Sequence, residues 1–242
     1  MQNLNYGVIG NCSTAALISE KGAIEWLCFP EFDSPSVFAA ILDRQKGGHF
    51  GFKVTSDYKV TQSYVPHTNI LSTHFESEEG AFDVVDFMPC YPTSDGKDFY
   101  RPAEIYRYIR WAKGRPRMKV DYRPAPNYAR GKTIYNVTSQ YVETYSSVEN
   151  KDRQYLYSSL DLKKVVNHDE ITLEKDEFFL FSFNEKVIPV DIEREKLEYC
   201  RTLVYWLNWT DHAKRYTRYN EVIERSMLVL KLMTYRDRKS VV

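Results

Sequence analysis

Five carboxylates lie close together in one stretch of the sequence, and this pattern comes nearest to a catalytic site: Glu76, Glu78, Glu79, Asp83 and Asp86. Hydrolysis of a glycosidic bond uses two carboxyl groups that flank the scissile bond. Asp83 and Asp86 are three positions apart, however, so they would lie on opposite faces of one β-strand. Glu78 and Glu79 lie in a predicted turn, where acids are common. The sequence therefore assigns no catalytic residue to this chain.

Other kinds of reactive site are not indicated either. The motif G-x-S-x-G of a nucleophilic serine is missing. His67 and His74 are seven positions apart across the start of a predicted strand, so we interpret them as structural or exposed histidines. Residues 6–11 (YGVIGN) lack the third glycine and the preceding strand of a dinucleotide-binding turn. No metal and no cofactor is expected, because no two cysteines have a zinc-type spacing: Cys12, Cys28, Cys90 and Cys200.

Composition excludes some classes of partner. The 242 residues suffice for one large or two small domains. The 33 basic and 33 acidic residues balance, which argues against a nucleic-acid-binding protein. No apolar run approaches the roughly 20 residues of a membrane span, and the first residues do not resemble a signal peptide. We therefore expect a cytoplasmic protein with reduced thiols, no nucleic acid and no membrane.

One aromatic and acidic stretch, residues 24–43, organises the sequence. Ile24, Trp26 and Cys28 alternate as on one face of a half-buried strand, which Pro30 should end because it has no N–H to donate. Residues 33–35 (DSP) then predict a turn or helix N-cap. Behind it a helix is predicted from the spacing of four apolar residues: Val37, Phe38, Ile41 and Leu42. The loop between strand and turn is either a corner packed by its own rings or a functional loop.

The rest of the chain to about residue 184 is predicted to be β-strand. Hairpins are predicted at residues 20–22, 78–80 and 114–116, where glycine can adopt positive φ. In the third hairpin six side chains would point inward together: Ile105, Ile109, Trp111, Met118, Val120 and Tyr122. Residues 178–183 (FFLFSF) are apolar on both faces, which places that strand in the middle of a sheet. The pattern predicts a mainly β protein, a large antiparallel β-sandwich.

Two helices are predicted after the sandwich. Residues 193–209 have apolar residues at helical spacing, and a second helix is predicted from Asn220, its N-cap, to Tyr235. This second helix is apolar nearly all round between Met227 and Met233, and such helices are normally buried on all sides. Because only a short polar tail follows, the helix is expected to need a partner surface.

Three stretches together resemble a known family. They are residues 6–43, which begin YGVIGNCSTAALISEKGAIEWLCFPEFDSP, residues 64–89 (YVPHTNILSTHFESEEGAFDVVDFMP) and residues 224–235 (ERSMLVLKLMTY). The chain resembles the N-terminal region of family fifteen glycoside hydrolases, the bacterial and archaeal glucoamylase-like and trehalase group. The resemblance implies a β-sandwich, linking helices and an (α/α)₆ barrel. In that family the barrel carries two glutamates that cleave α-glucosidic bonds with inversion.

The resemblance implies a domain division and a function. Residues 1–190 would form the sandwich, and residues 191–242 a linker helix and the first helix of a barrel that the chain does not contain. Neither catalytic glutamate has a counterpart, so the expected function is a non-catalytic N-terminal domain that supports and borders the active site of a barrel. The alternative is a free-standing carbohydrate-binding or assembly module that works with a separate catalytic subunit. Whether the parent substrate is trehalose, a starch-like glucan or another α-glucoside stays open.

The resemblance also suggests contacts with sugar and with a partner. Loops of the sandwich can border the sugar pocket in this family, which makes four residues tentative α-glucoside contacts: Phe29, Glu31, Phe32 and Asp33. Aromatic rings stack on sugar faces, and carboxylates accept hydrogen bonds from hydroxyls. The expected partner of the helix from Asn220 to Tyr235 is the barrel or, through self-association, a second copy of the chain.

Overall fold

A computed structural model describes residues 5–55, 57–149, 151–188, 190–215 and 217–234. The described chain is mainly β, as predicted, and contains 17 strands and three helices. The strands are β1 (Tyr6–Gly10), β2 (Ala15–Ser19), β3 (Ile24–Cys28), β4 (Ser36–Phe38), β5 (His49–Lys53), β6 (Lys59–Tyr64), β7 (Leu71–Ser77), β8 (Gly80–Phe87), β9 (Tyr91–Pro92), β10 (Phe99–Tyr100), β11 (Glu104–Gly114), β12 (Arg117–Arg123), β13 (Thr133–Val137), β14 (Val142–Ser146), β15 (Gln154–Ser158), β16 (Glu170–Thr172) and β17 (Glu177–Phe183). The helices are α1 (Leu162–Asn167), α2 (Ile192–Asp211) and α3 (Asn220–Leu232).

Two antiparallel sheets form the sandwich. Among the described residues, the seven-stranded sheet has the order β1-β2-β3-β5-β12-β16, with β4 on β3. The eight-stranded sheet has the order β13-β14-β15-β17-β11-β8-β7-β6. β17 lies between β15 and β11, which confirms the prediction from its apolar faces. β9 and β10 form a separate two-stranded ribbon.

Phenylalanine rings fill the space between the sheets. Phe50 of the seven-stranded sheet meets Phe179 of the other sheet edge-on, with ring centroids 5.4 Å apart. Phe38 contacts Phe181 in a tilted arrangement, with ring centroids 5.5 Å apart. Such ring pairs add to the hydrophobic gain of burying the rings. This inter-sheet core is therefore a continuous aromatic layer.

One buried ion pair lies on the inner face of the eight-stranded sheet. Arg107 on β11 lies opposite Asp86 on β8 and donates two hydrogen bonds to its carboxylate, at 2.7 and 3.1 Å. Arg107 also donates to the backbone carbonyls of Phe50, at 2.6 Å, and Gly22 in the other sheet. Both charged side chains are fully buried. Arg107 therefore ties the two sheets together through a satisfied polar network.

The prediction of the third hairpin is wrong. β11 pairs with β8 and β17, whereas β12 pairs with β5 and β16, so the chain changes sheets at residues 114–116. Five of the six side chains predicted to point inward do so, but they face one another across the core from opposite sheets. Trp111 is 38% exposed and is the exception. A glycine-proline turn permits a hairpin, but it does not decide which strands pair.

The stretch at residues 24–43 also differs from its prediction. The pairing of β2 with β3 shifts between Leu17 and Ile18, so β3 carries a bulge at Glu25. A bulge reverses the alternation of side chains. Leu27 therefore faces the core, and Trp26 is only half-buried. No helix follows residues 33–35, because residues 36–38 pair with β3 as the strand β4.

Two helices form a third layer on the outer face of the eight-stranded sheet. α2 and α3 occur where helices were predicted, and the short helix α1 was not predicted. α3 begins after Tyr219, which takes the N-cap position that was predicted for Asn220, and the predicted end at Tyr235 lies outside the described residues. Leu228 and Trp206 pack into a cluster of tyrosine, cysteine and aliphatic side chains on the sheet.

Candidate functional site

The predicted sugar-contact loop follows β3 directly. Phe29 is 1% exposed and stacks on Phe181 of the other sheet, with centroids 5.9 Å apart. Its ring therefore belongs to the core and is not available to a sugar. Glu31 and Asp33 are exposed, and Phe32 is half-buried. The structure thus removes Phe29 from the tentative contacts and keeps the other three at the surface.

The loop is held next to the end of α3. The backbone N–H of Phe32 donates to the carbonyl of Ser13, at 3.0 Å, in the turn between β1 and β2. In the same turn, the thiol of Cys12 donates to the carbonyl of Lys231 in the last turn of α3, at 3.4 Å. The loop and the C-terminal end of α3 therefore lie on two sides of one short turn.

α2 presents its polar and apolar residues in an unusual arrangement. Glu195, Glu198 and Thr202 are buried against the sandwich. Leu197 and Val204 are exposed, Val204 at 63%. A surface helix normally buries its apolar stripe and exposes its charges. The sequence pattern showed the helix but not which side would be buried, since aromatic residues occur on both sides.

The exposed side of α2 borders a groove of about 1540 Å³. The ribbon of β9 and β10 forms one wall, and the C-terminal half of α2 with Met227 of α3 forms the other. The lining is mostly aromatic and aliphatic: Tyr91, Phe99, Tyr100, Leu197, Val204 and Trp209. An apolar groove of this size is larger than most ligand pockets, and it is typical of a surface that receives another structural element.

A small polar cluster connects the ribbon to α2. The hydroxyl of Tyr91 donates to Glu198, at 2.7 Å, and Arg201 lies 3.3 Å from the same carboxylate. Arg201 also lies over the Tyr91 ring, 5.5 Å from its centroid. Burial and the hydrogen bond to Glu198 raise the pKa of Tyr91, so it stays a donor at neutral pH. The ribbon was not predicted, because two-residue strands leave no period in a sequence.

Glu195 is the most unusual carboxyl group in the helix layer. It is fully buried, and no described residue donates a hydrogen bond to either of its oxygens. Burial, together with the nearby carboxylates of Asp86, Glu104 and Glu198, raises its pKa well above the usual value. A carboxyl group in these surroundings is neutral at pH values where a surface glutamate is charged.

Asp83 and Asp86 on β8 have different partners on the two faces of the sheet. Asp86 points into the core toward Arg107, and Asp83 points outward, where it contacts His74 at 2.7 Å and Arg110. This confirms that they lie on opposite faces of β8. Within the described ranges, no cluster of ligands could hold a metal ion. The described helices include none that is long and apolar enough to cross a membrane.

Comparison with known proteins gives a consistent match. The model of the family described as "Trehalase-like, N-terminal" matches residues 5–150. A trehalase from Thermoplasma acidophilum is 29% identical over 228 aligned positions, in an alignment that covers 90% of this chain and 38% of that protein. Trehalase 1 of Sulfolobus acidocaldarius is 51% identical over 85 residues, 34% of this chain and 14% of that protein.

A more distant relative matches over a similar range. A trehalase from Mycolicibacterium smegmatis is 26% identical over 261 aligned positions, in an alignment that covers 96% of this chain and 38% of that protein. The chain therefore spans less than two fifths of the length of these curated relatives.

Proposed function

The chain belongs to the family of trehalase-like N-terminal domains, and on this premise we propose that it is the non-catalytic N-terminal domain of an inverting α-glucoside hydrolase, of trehalase or glucoamylase-like type. In this proposal residues 1–190 form a sandwich that supports a catalytic (α/α)₆ barrel. α2 is the linker helix, and α3 is the first barrel helix. We also propose that the domain works in the cytoplasm. Its four cysteines are free thiols.

The observation that carries this proposal is the exposed apolar side of α2, which lies opposite the buried Tyr205 and Trp206. Its inner side holds Glu195 and Thr202, and its outer side holds Leu197 and Val204 beside the apolar groove. Exposed apolar side chains on a helix next to an apolar groove indicate that a further layer covers them. Helices of a barrel have the apolar surface that such a layer needs.

A role at the substrate side is proposed for Glu31, Phe32 and Asp33. Phe32 is tied to Ser13, and the same turn contacts the last turn of α3. A barrel that continues from α3 would therefore begin close to this loop. In that position the two exposed carboxylates could accept hydrogen bonds from sugar hydroxyls.

A second function is favoured by the composition of the groove. Tyr91, Tyr100 and Trp209 line it together with Arg201 and Glu198. Aromatic rings with a few charged groups are also typical of carbohydrate-binding sites. The alternative is therefore a free-standing carbohydrate-binding or assembly module that acts with a separate catalytic subunit.

A domain exchange tests the proposal. Residues 5–234 would replace the matching region of the Thermoplasma acidophilum trehalase, and glucose release from trehalose would be measured. We expect an active chimera, loss of activity with Val204→Glu in the groove, and retained activity with the control Leu42→Glu, since Leu42 is exposed elsewhere. The chain alone is expected to release no glucose from trehalose or maltose.

Two outcomes contradict the proposal. A chimera that is folded and active regardless of the groove substitution would show that the barrel does not cover α2. Binding of malto-oligosaccharide to the isolated chain by calorimetry, lost in Tyr91→Ala, would favour the carbohydrate-binding module instead.

A further inference from the structure

Two buried cysteines from distant parts of the sequence meet beneath the helix layer. Cys12 follows β1 and is 2% exposed, and Cys90 follows β8 and is 1% exposed. Both belong to the cluster between the eight-stranded sheet and the helices. The Cys90 thiol lies close enough to interact with the Cys12 thiol and with Tyr205 of α2. The proposed function uses neither thiol.

α3 covers this thiol pair. The thiol of Cys12 lies 3.4 Å from the carbonyl of Lys231. Gly10, two residues before it, lies so close to α3 that an added Cβ would come within 2.9 Å of the Leu232 side chain. The amide of Asn69 donates to the carbonyl of Leu228, at 3.0 Å, one turn earlier. The last turns of α3 are therefore fixed on the end of β1, next to Cys12, and on the segment before β7.

We propose that Cys12 and Cys90 form a redox-sensitive disulfide site that α3 gates. The reaction is thiol–disulfide exchange with a small-molecule disulfide such as oxidised glutathione. The arrangement differs from that of the other two cysteines. Cys28 is buried away from this cluster, and Cys200 is exposed on α2.

The exchange has two balanced steps. The Cys12 thiolate attacks one sulfur of the glutathione disulfide, forms a mixed disulfide and releases one glutathione thiolate, which takes up the proton that Cys12 lost. Cys90 then loses its proton, attacks the Cys12 sulfur and releases the second glutathione. Two thiols are oxidised, and one disulfide is reduced to two thiols. Interaction with the Cys90 thiol, aided by the charges of Lys231 and Arg101, lowers the pKa of Cys12.

The first experiment locates the disulfide. The purified chain would be incubated with oxidised glutathione, and its peptides would be mapped by mass spectrometry without reduction. We expect a cross-linked peptide pair that contains Cys12 and Cys90 and is about 2 Da lighter than the two reduced peptides. Cys12→Ser and Cys90→Ala should each abolish it, while Cys28→Ser should retain it. A cross-link between other cysteines, or only a mixed disulfide on Cys200, would overturn the proposal.

The second experiment tests the gate. Leu228→Ala removes a buried contact of α3 with the sheet and should increase the rate of disulfide formation by about tenfold or more, because local opening exposes the pair. Leu230→Ala is the matched control, since Leu230 lies on the same helix and is 54% exposed. Equal rates in the two variants, with circular dichroism showing both folded, would show that α3 does not control access.

Discussion

The two faces of the eight-stranded sheet are packed in different ways. Its inner face meets the other sheet through stacked phenylalanines, and the charges of Asp86 and Arg107 there are fully paired. Its outer face meets α2 and α3 through tyrosines and cysteines, and it buries Glu195 and Thr202 without partners among the described residues. The inner interface therefore pairs the charges of Asp86 and Arg107, although Gln154 and Glu177 on the same sheet each keep one buried side-chain atom without a hydrogen-bond partner among the described residues. The outer one leaves both oxygens of the buried Glu195 carboxyl group unpaired and exposes apolar helix surface.

The largest expected effect is on the inner interface. Asp86→Ala leaves the buried guanidinium of Arg107 without its carboxylate, which should destabilise the fold by about 3–5 kcal/mol. Asp83→Ala on the same strand is the control, because its partners His74 and Arg110 are partly exposed and such pairs contribute about 1 kcal/mol or less. Urea denaturation of both variants gives the comparison. Similar urea midpoints would mean that breaking the buried ion pair costs no more stability than breaking the partly exposed pairs of Asp83.

The second prediction compares two neighbouring aromatic residues. Phe29→Ala should cost about 3–5 kcal/mol, because the ring is fully buried between the sheets. Trp26→Ala should cost clearly less, because the bulge in β3 turns Trp26 to the half-buried outer face. Thermal and urea denaturation would measure both. A larger loss for Trp26→Ala would show that the bulge does not set the orientation.

The comparison of Phe29 with Trp26 also shows which features of the fold can be predicted from the sequence. Alternation and glycine turns predicted most strands and the central position of β17, because both are local properties. The sequence could not predict the bulge at Glu25, since one extra residue reverses the faces without changing composition. Strand partners at residues 114–116 depend on long-range packing. The loop of residues 31–33 was identified from its aromatic and acidic residues, but the groove depends on a ribbon about 100 residues before α2 in the sequence.

The third prediction concerns the outer interface and pH. The pKa of Glu195 is raised in the folded chain, so the folded state holds this proton more tightly than the unfolded state, in which the pKa is about 4.3. The contribution of Glu195 to the free energy of unfolding is therefore fully present below about pH 4.3. It is lost as pH rises toward the pKa of the folded chain, by at most about 1.4 kcal/mol per pH unit. Glu104 shifts in the same direction and adds to the slope.

Glu195→Gln isolates the contribution of Glu195. The variant should lose stability less steeply than the parent between pH 5 and 8, and the difference in slope is the quantity to measure by urea denaturation. Hydrogen exchange of α2 would show whether the loss is confined to this helix. Parallel pH profiles of parent and variant would mean that Glu195 is already ionised in the folded chain.

The smallest expected effect is self-association of the exposed helix surface. Val222 and Leu230 project from α3 away from the sandwich, even though Leu228 and Leu232 are buried. If no barrel covers this surface, a second copy can do so, most simply as a two-fold dimer. The gain from hiding a few side chains is offset in part by the entropy of association, so we expect a weak dimer at tens of micromolar. Light scattering should show this dimer in the parent and in Leu42→Glu but not in Leu230→Glu. A parent chain that stays monomeric at these concentrations would show that the exposed side of α3 needs no partner surface. The difference between the two interfaces would then rest on α2 and its groove alone.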